Sequence, residues 1–218
     1  MSDPAAASVH DGPRMNALIH RAVRRDLTEF AAALDRYADG DRTRAAAIAA
    51  RFHWLDELLT HHHEGEEQIL WPVLRTSPTE TAEVAELTDE HERIVSALSA
   101  ARDAVARFGA SGSAGDAKAA GAAVRALTDA AEEHFDHEEG EIDELCERAD
   151  PVALRAAYKK MGRGAGLREG LFFMQWVSDG LPADDAAFLG TLIPTPVLWL
   201  SRTAYGRRYR AATAPLRS

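Results

Sequence analysis

Apolar residues recur along this chain in steps of three and four, the spacing that places side chains on one face of an α-helix. One such stripe runs through HHHEGEEQILWP, residues 61–72, and consists of Ile48, Phe52, Leu55, Leu59, His62, Glu66, Ile69 and Val73. The steps place His62 and Glu66 on the face that the other residues mark as core. A buried imidazole and a buried carboxylate need a partner, and a metal ion is the commonest one that accepts both. The stretch therefore predicts a metal site on a helix.

Three further stripes predict three more amphipathic helices. The first helix of the chain carries His20, Val23, Leu27, Phe30 and Leu34. The third carries Val84, Leu87, His91, Ile94, Leu98, Ala101, Val105 and Phe108. The fourth carries Val124, Leu127, Ala131, His134, Glu138, Glu141 or Ile142, and Leu145. A histidine occupies a core position on every helix, and the fourth repeats the His-Glu spacing of the second.

Glycine, proline and small polar residues mark where the helices end. Gly40 ends the first helix, and Asp41 caps the second, which runs from about residue 42 to residue 74. Pro72 predicts a kink or an ending within that second helix. The segment GASGSAG, residues 109–115, predicts a flexible loop between the third and fourth helices.

The sequence shows no strand-like alternation, so it predicts an all-α protein. Four amphipathic helices joined by short loops favour an antiparallel, up-down-up-down four-helix bundle, which we place at residues 13–149. Residues 1–12 are predicted to be a disordered lead-in. Residues 150–218 are predicted to be a C-terminal helical extension.

The bundle topology predicts that the candidate ligands converge. The first and third helices start at the end of the bundle where the second and fourth helices finish. Six ligand-type residues then share one layer: His20, His62, Glu66, His91, His134 and Glu138. Four imidazoles and two carboxylates exceed the needs of one tetrahedral zinc ion. They suit two octahedral ions with bridging carboxylates, and this indicates iron first and manganese second.

The helical phase gives the neighbouring residues lesser roles. Two histidines lie about 100° on either side of His62, and we expect them to face outward or to support the ligands from behind. Glu64 and Glu67 are also expected to face outward or to support the ligands. The supporting candidates are therefore His61, His63, Glu64 and Glu67. His137 lies one turn from the fourth helix's ligand pair and close to the inward face. His10 and His53 fall off the stripes and are expected to be solvated.

The charge distribution narrows the choice of partners. The formal net charge is −10, but residues 1–150 hold 15 Lys and Arg against 31 Asp and Glu, whereas residues 151–218 hold 10 against 4. The acidic body argues against nucleic-acid binding. Cys146 is the single cysteine, so no intrachain disulfide can form. The sequence shows no signal peptide or transmembrane segment, and we expect a cytoplasmic protein.

The stretch HHHEGEEQILWP and EHFDHEEGEI, residues 133–142, resemble the hemerythrin-like, or HHE cation-binding, family of non-haem di-iron four-helix bundles. The resemblance covers about residues 14–148. It implies that the six converging residues bind two iron ions with Glu66 and Glu138 bridging, and we expect an oxo or hydroxo bridge.

One departure from the family pattern lies on the third helix. Oxygen-carrying hemerythrins have two histidines four apart there, whereas here the position after His91 is Val95. With one protein ligand fewer, the resemblance implies a more open site than a reversible oxygen carrier has. It is closer to bacterial members of the family that handle oxygen, nitric oxide or peroxide, or that act in oxidative and nitrosative stress.

The tail beyond the bundle is predicted to form helices at about residues 152–160 and 167–177, with an apolar segment after them. The tail starts where the fourth helix finishes, at the end of the bundle that holds the candidate ligands, and its basic charge favours docking back onto the acidic body. We therefore predict that residues 151–218 pack against this end and limit access to the site. Three interpretations of its role stay open. It is a packing appendage, a contact surface for a homodimer, or an interfacial membrane anchor built on Trp199, Tyr205 and the arginines.

Three functional hypotheses follow from the sequence. The first is a redox-active di-iron protein that binds or transforms O2, nitric oxide or peroxide with an unknown redox partner; no catalytic side chain outside the ligands stands out. The second is a non-catalytic module that stores iron or senses iron or oxygen, in which metal binding mainly adds folding energy. The third is a purely structural bundle.

Overall fold

Helices account for nearly the whole chain. The computed structural model describes residues 10–162 and 166–218. Its α-helices are α1 (Asp11–Asp35), α2 (Arg42–Gly65), α3 (Trp71–Leu74), α4 (Pro78–Ser111), α5 (Ala114–Arg148), α6 (Pro151–Met161), α7 (Leu167–Ser178), α8 (Ala183–Leu192), α9 (Thr195–Leu200) and α10 (Gly206–Arg217). Two segments, Glu66–Leu70 and Ser201–Tyr205, are π-helical. The described ranges contain no strand, so the all-α prediction is confirmed.

Four long helices, α1, α2, α4 and α5, form the predicted antiparallel bundle. α5 packs between α1 and α4, and α4 packs against α2. The α1–α2 loop meets the α4–α5 loop at one end of the bundle. There the Gly40 N–H donates to the Gly112 carbonyl at 3.0 Å, and the Ala114 N–H donates to Asp39 Oδ1 at 2.7 Å. The starts of α1 and α4 therefore lie with the ends of α2 and α5 at the opposite end, which we call the metal end.

The predicted disordered lead-in, residues 1–12, falls largely outside the part of the chain that the structure describes. Residues 1–9 of that segment lie outside the described residues. α1 begins at Asp11, two residues before Pro13, where we expected the bundle to start. The Asp41 side chain accepts a hydrogen bond from the Arg44 N–H at 3.0 Å, which confirms the predicted cap of α2.

The flexible loop predicted at residues 109–115 is much shorter than expected. α4 and α5 extend into it from both sides, so only Gly112 and Ser113 connect them. Gly109 lies within α4, where its missing side chain lets α4 approach α2 closely. A Cβ at this position would lie 2.5 Å from the Cβ of Ala49. Gly112 ends α4 in the left-handed region at φ 62°. The glycines provide close packing and a tight turn here rather than flexibility.

The irregularity predicted at Pro72 takes the form of a π-helical turn. The chain continues from α2 through Glu66–Leu70 into α3, and the Trp71 N–H donates to the Glu66 carbonyl, five residues back. Proline has no N–H, and its ring crowds the carbonyl four residues earlier in an α-helix. A wider turn just before it lets the helix continue, and such turns are frequent at functional sites.

This wider turn changes which residues face the core after it. The stripe predicted Ile69 and Val73 as core, but both are only partly buried. Leu70 and Leu74 are buried instead, at 1% and 0% exposed. One extra residue in the turn rotates the following side chains by one position. The constant period used for the prediction could not include it.

The C-terminal extension occupies two places on the bundle. α6 lies at the metal end against the π-helical segment, α3 and α5. α7 packs on α1, and α10 packs on both α1 and α2, in the groove between these two helices. The prediction that residues 151–218 pack against the metal end is therefore only partly right. α6 packs there, and Asp185 of α8 pairs with Arg14 near the start of α1 at 3.3 Å, whereas α7 and α10 lie along the bundle. None of the described helices combines the length and the apolar character needed to cross a bilayer.

Candidate metal centre

The six predicted ligands lie in one polar layer between two apolar clusters. The larger cluster fills the bundle toward the loop end, and the smaller one closes the metal end. On α4, for example, Leu87 belongs to the smaller cluster and Ile94 to the larger, with His91 between them. None of the six residues exposes more than 9% of its surface. Because apolar side chains surround the layer, electrostatic interactions within it are strong.

The first group of candidate ligand atoms joins α1, α2 and the π-helical segment. It consists of His20, His62 and Glu66, whose ligand atoms all lie within 4.8 Å of one another. His20 Nε2 is 3.2 Å from His62 Nε2, and His62 Nε2 is 3.3 Å from Glu66 Oε1. Glu138 Oε2 of α5 lies 3.3 Å from His20 Nε2. This side of the cluster therefore offers two imidazoles and two carboxylates.

The second group lies beside the first and shares its carboxylates. It consists of His63, Glu66, His91 and His134, again within 4.8 Å of one another. His91 Nε2 is 3.0 Å from His134 Nε2 and 3.6 Å from Glu66 Oε2. His134 Nε2 is 3.7 Å from Glu138 Oε2. Each carboxylate thus approaches a histidine of both groups, which is the arrangement that bridging ligands require.

His63 corrects the prediction that it faces outward or acts from behind. It is 3% exposed, and its ring centroid lies 4.3 Å from that of His91 and 5.5 Å from that of His134. Its Nε2 is buried without a hydrogen-bond partner. The cluster therefore contains five imidazoles rather than four. Val95, in the position where the family pattern suggested a missing ligand, is 59% exposed.

Carboxylates behind the imidazoles fix the direction of their lone pairs. His91 Nδ1 contacts Glu67 Oε1 at 3.0 Å, and His134 Nδ1 contacts Glu90 Oε2 at 3.1 Å. A carboxylate accepts, so each Nδ1 carries the proton, and the two Nε2 lone pairs face each other. Two lone pairs at such a distance repel unless a cation lies against both.

The ring of His20 is held in the same way from α5. Its Nδ1 contacts Glu139 Oε1 at 3.0 Å. Glu139 in turn accepts from Arg24 Nη1 at 2.7 Å. The ring also stacks on Phe135 with 3.9 Å between centroids. These contacts leave Nε2 as the atom directed into the cluster.

The unpaired atoms of the layer fit a pair of metal ions. Both oxygens of Glu66, both oxygens of Glu138 and His63 Nε2 are buried without hydrogen-bond partners. Such groups cost roughly 1–3 kcal/mol each, and more when charged. With metal–nitrogen bonds of about 2.1 Å, adjacent ligands of an octahedral ion stand about 3.0 Å apart, which is close to the Nε2 separations of 3.0 and 3.2 Å. The residues present therefore suit the metal pair that the sequence predicts.

Burial sets the protonation of the cluster. It lowers the pKa of all five imidazoles, that of His134 to about 2, and so keeps them in the neutral form that binds metal. It also raises the pKa of Glu66, with the charge of Glu138 as the next cause, and it raises the pKa of Glu138 to about 8. Without a cation, this facing pair holds a proton at neutral pH. A metal ion bound by Glu66 and Glu138 would displace that proton and leave both carboxylates ionised.

The other histidines and glutamates near the site lie largely where their stripes place them. His61 and Glu64 are exposed, and Glu67 supports a ligand from behind as predicted. His137 contacts Glu90 Oε1 through Nδ1 at 2.9 Å and belongs to neither ligand group. The side chain of His53 is 68% exposed.

Sequence reasoning missed three residues of this site. Glu90 directly precedes the core residue His91, and Glu139 directly follows the core residue Glu138. Nothing in the pattern showed that the side chains of Glu90 and Glu139 turn inward. His63 did leave a signal, because it precedes Glu66 by three residues, and a spacing of three shares a helix face as a spacing of four does. The His62–Glu66 pair, with its spacing of four, already explained the stripe, so the prediction did not consider that His63 also shares a face with Glu66.

α6 brings Tyr158 over the metal end. The tyrosine ring packs on Gly12 of α1, where a Cβ would lie 2.1 Å from ring atoms. Its hydroxyl lies 3.4 Å from Cys146 Sγ. Burial raises its pKa, and Glu138 and Glu66 add to the rise. The side chain therefore covers the metal end between α1 and α5.

Comparison with known families gives one match. The model described as the hemerythrin HHE cation binding domain matches residues 17–146. This range includes every residue of the two ligand groups and stops before α6. Comparisons with curated proteins and with solved structures gave no match.

Proposed function

Because the chain belongs to the hemerythrin HHE cation-binding family, we propose that its cluster holds two iron ions and that the protein binds or reacts with O2, nitric oxide or peroxide there. Manganese is the second candidate metal. A role in oxidative or nitrosative stress accords with such ligands. The observation that carries the proposal is the pair of ligand groups sharing Glu66, with Glu138 touching both.

The division of ligands supports an unequal metal pair. His20 and His62 serve one position, whereas His63, His91 and His134 serve the other. An octahedral ion has six ligand positions, so the side with two imidazoles keeps more positions free. Two iron ions held by these residues would supply the redox chemistry that binding or reduction of O2, nitric oxide or peroxide needs. The fifth imidazole weakens the expectation of a generally more open site and confines the opening to the His20–His62 side.

The protein's own residues control the surroundings of that opening. Glu67, Glu90 and Glu139 hold the Nδ1 protons of three imidazoles and so keep their Nε2 atoms available as ligands. The two apolar clusters above and below exclude water from the layer. Water exclusion favours an uncharged diatomic ligand over a hydrated ion.

Residual exposure indicates where a small ligand enters. Asn16 and His62 are each 9% exposed, whereas the other cluster residues are more deeply buried. His62 belongs to the group with free positions, and the Asn16 side chain lies beside the two shared carboxylates, Glu66 and Glu138. Gly12 lies one helical turn before Asn16 on α1, so the ring of Tyr158 forms part of the rim of this entrance.

The function is tested by loading the protein with iron under reducing, anaerobic conditions and measuring metal content, absorption spectrum and reaction rates. We expect two iron ions per chain, a near-ultraviolet charge-transfer band after oxidation, and rapid reaction with at least one of O2, nitric oxide and peroxide. Metal-dependent melting without any such reaction would instead favour the storage or sensing module. One zinc ion per chain after native purification would contradict the proposal.

Replacing Tyr158 by alanine should speed the binding of azide to the oxidised, iron-loaded protein. The change removes a ring from the rim while leaving every ligand in place. Stopped-flow absorption measures the rate, and Tyr158→Phe serves as the matched control, because it keeps the ring and removes only the hydroxyl. Equal rates in the alanine variant and the parent protein would show that this side chain does not limit access.

A further inference from the structure

The segment α9 presents apolar side chains to solvent. It has no buried residue, and Val197, Trp199 and Leu200 are 36%, 65% and 38% exposed. Only three other large hydrophobic side chains are comparably exposed among the described residues, and they are scattered over α4, α6 and α7. A cluster of this kind on an otherwise polar surface marks a contact with another molecule or with lipid.

The charged residues around this apolar segment are all arginines. From residue 186 to residue 218 the chain has five arginines and no acidic residue, although its net charge is −10. Arg217 is paired with Glu29 and Asp179. The other four are exposed, and their side chains make no hydrogen bond or ion pair with any described residue: Arg202, Arg207, Arg208 and Arg210. Four arginines without partners in an acidic protein are available for an anionic surface.

The apolar and basic residues lie on one continuous helical run. α9, the π-helical segment and α10 follow each other without a break. At about 1.5 Å per residue, Arg202 lies about 5 Å and Arg210 about 16 Å along the run from Trp199. Ser201 is buried and donates to the Leu171 carbonyl at 2.9 Å, which anchors the run to α7.

We propose that residues 195–210 dock the protein on the surface of an anionic lipid membrane. An interfacial helix combines Trp and aliphatic side chains that enter the headgroup region with arginines that contact lipid phosphates. Apolar side chains alone or basic charge alone is not sufficient for stable membrane binding, and this run has both. The acidic remainder of the protein is repelled by the same surface, so docking through this run fixes the orientation of the molecule.

Charge also favours a membrane over a second copy of the chain as the binding partner of residues 195–210. A two-fold contact through residues 195–210 places the same patch of both copies face to face. It would bring two sets of unpaired arginines together with no acidic residue in the segment to compensate. An anionic bilayer instead meets all four arginines with opposite charge.

Vesicle binding tests the proposal with the metal-loaded, full-length protein. We expect cosedimentation with vesicles of phosphatidylglycerol and phosphatidylcholine in equal parts, little with phosphatidylcholine alone, and a decrease as salt rises. Lipids brominated near the headgroup should quench Trp199, which is 65% exposed, whereas Trp71 and Trp176 are 0% exposed. Trp54 is partly buried, so the quenching should disappear in Trp199→Ala if it comes from Trp199. The variants Trp199→Ala and Arg207→Gln/Arg210→Gln should each weaken binding about tenfold or more.

Matched variants control for total charge and for folding. Arg42→Gln/Arg107→Gln removes two exposed arginines from another surface and should leave vesicle binding nearly unchanged. Thermal melting should be the same for all variants, because every substituted side chain is exposed. Absence of binding to the anionic vesicles would overturn the proposal, as would equal binding to neutral ones. A concentration-dependent dimer that Trp199→Ala abolishes would assign the patch to a second copy instead.

Discussion

Alanine at His63 should remove one of the two proposed metal ions of each chain, whereas alanine at His61 should leave both in place. His63 joins His91, His134 and Glu66 in one ligand group and has a buried, unpaired Nε2. Loss of an outer partner of a ligand already costs about 10- to 100-fold in metal affinity, and loss of the ligand itself should cost more. His61 is exposed on the same helix, so it is a close control for helix propensity and residue type.

Metal analysis and thermal melting, with and without a chelator, measure this effect. Metal binding free energy is also folding free energy, so metal content and melting temperature should fall together in the His63 variant. His62→Ala and His134→Ala should lower both in the same way. Equal behaviour of the His61 and His63 variants would show that the second ligand group does not hold metal.

Alanine at Asp26 should cause the largest loss of stability among substitutions outside the metal layer. Asp26 is 0% exposed and joins three helices. Its Oδ1 accepts from Arg25 Nη2 at 2.8 Å, and its Oδ2 accepts from Trp176 Nε1 of α7 at 2.9 Å and from Arg51 of α2. Arg51 is 3% exposed and has no other carboxylate partner among the described residues.

Removing the carboxylate leaves a buried guanidinium and a buried indole N–H without an acceptor. Breaking a buried pair in this way costs about 3–5 kcal/mol, which corresponds to a fall in melting temperature on the order of 10 °C for a chain of this size. Urea unfolding of the metal-free protein measures the change without a contribution from ligands. The double variant Asp26→Ala/Arg51→Met should recover part of the loss, because it also removes the unpaired charge.

Asp35→Ala provides the comparison on the same helix. Asp35 pairs with Arg125 at 3.0 Å, but both side chains are about half exposed. Exposed pairs contribute at most about 1 kcal/mol. Similar losses for the two aspartates would mean that the contact between α1, α2 and α7 does not depend on the buried charge.

The sequence by itself determined the all-α bundle, its antiparallel topology and the family. The stripes on α1, α4 and α5 are uninterrupted, and their predicted core residues are buried in the structure. Periodicity succeeds there because each helix keeps one period over its whole length. The same regularity predicted that His20, His62, Glu66, His91, His134 and Glu138 meet in one layer, and the structure brings them together; their role as ligands stays a prediction.

Only the tertiary structure decided the composition of the site and the course of the tail. The π-helical turn before Pro72 begins at Glu66 and changes the helical phase of the residues after it. His63 joins the cluster because α4 and α5 pack around it. The tail's net charge indicated attraction to the body but not a location. α7 and α10 pack at the groove between α1 and α2, where the buried Asp26 of α1 accepts a hydrogen bond from Trp176 Nε1 of α7. Periodicity reports which face of a helix is buried, whereas close approach between helices decides what that face contacts.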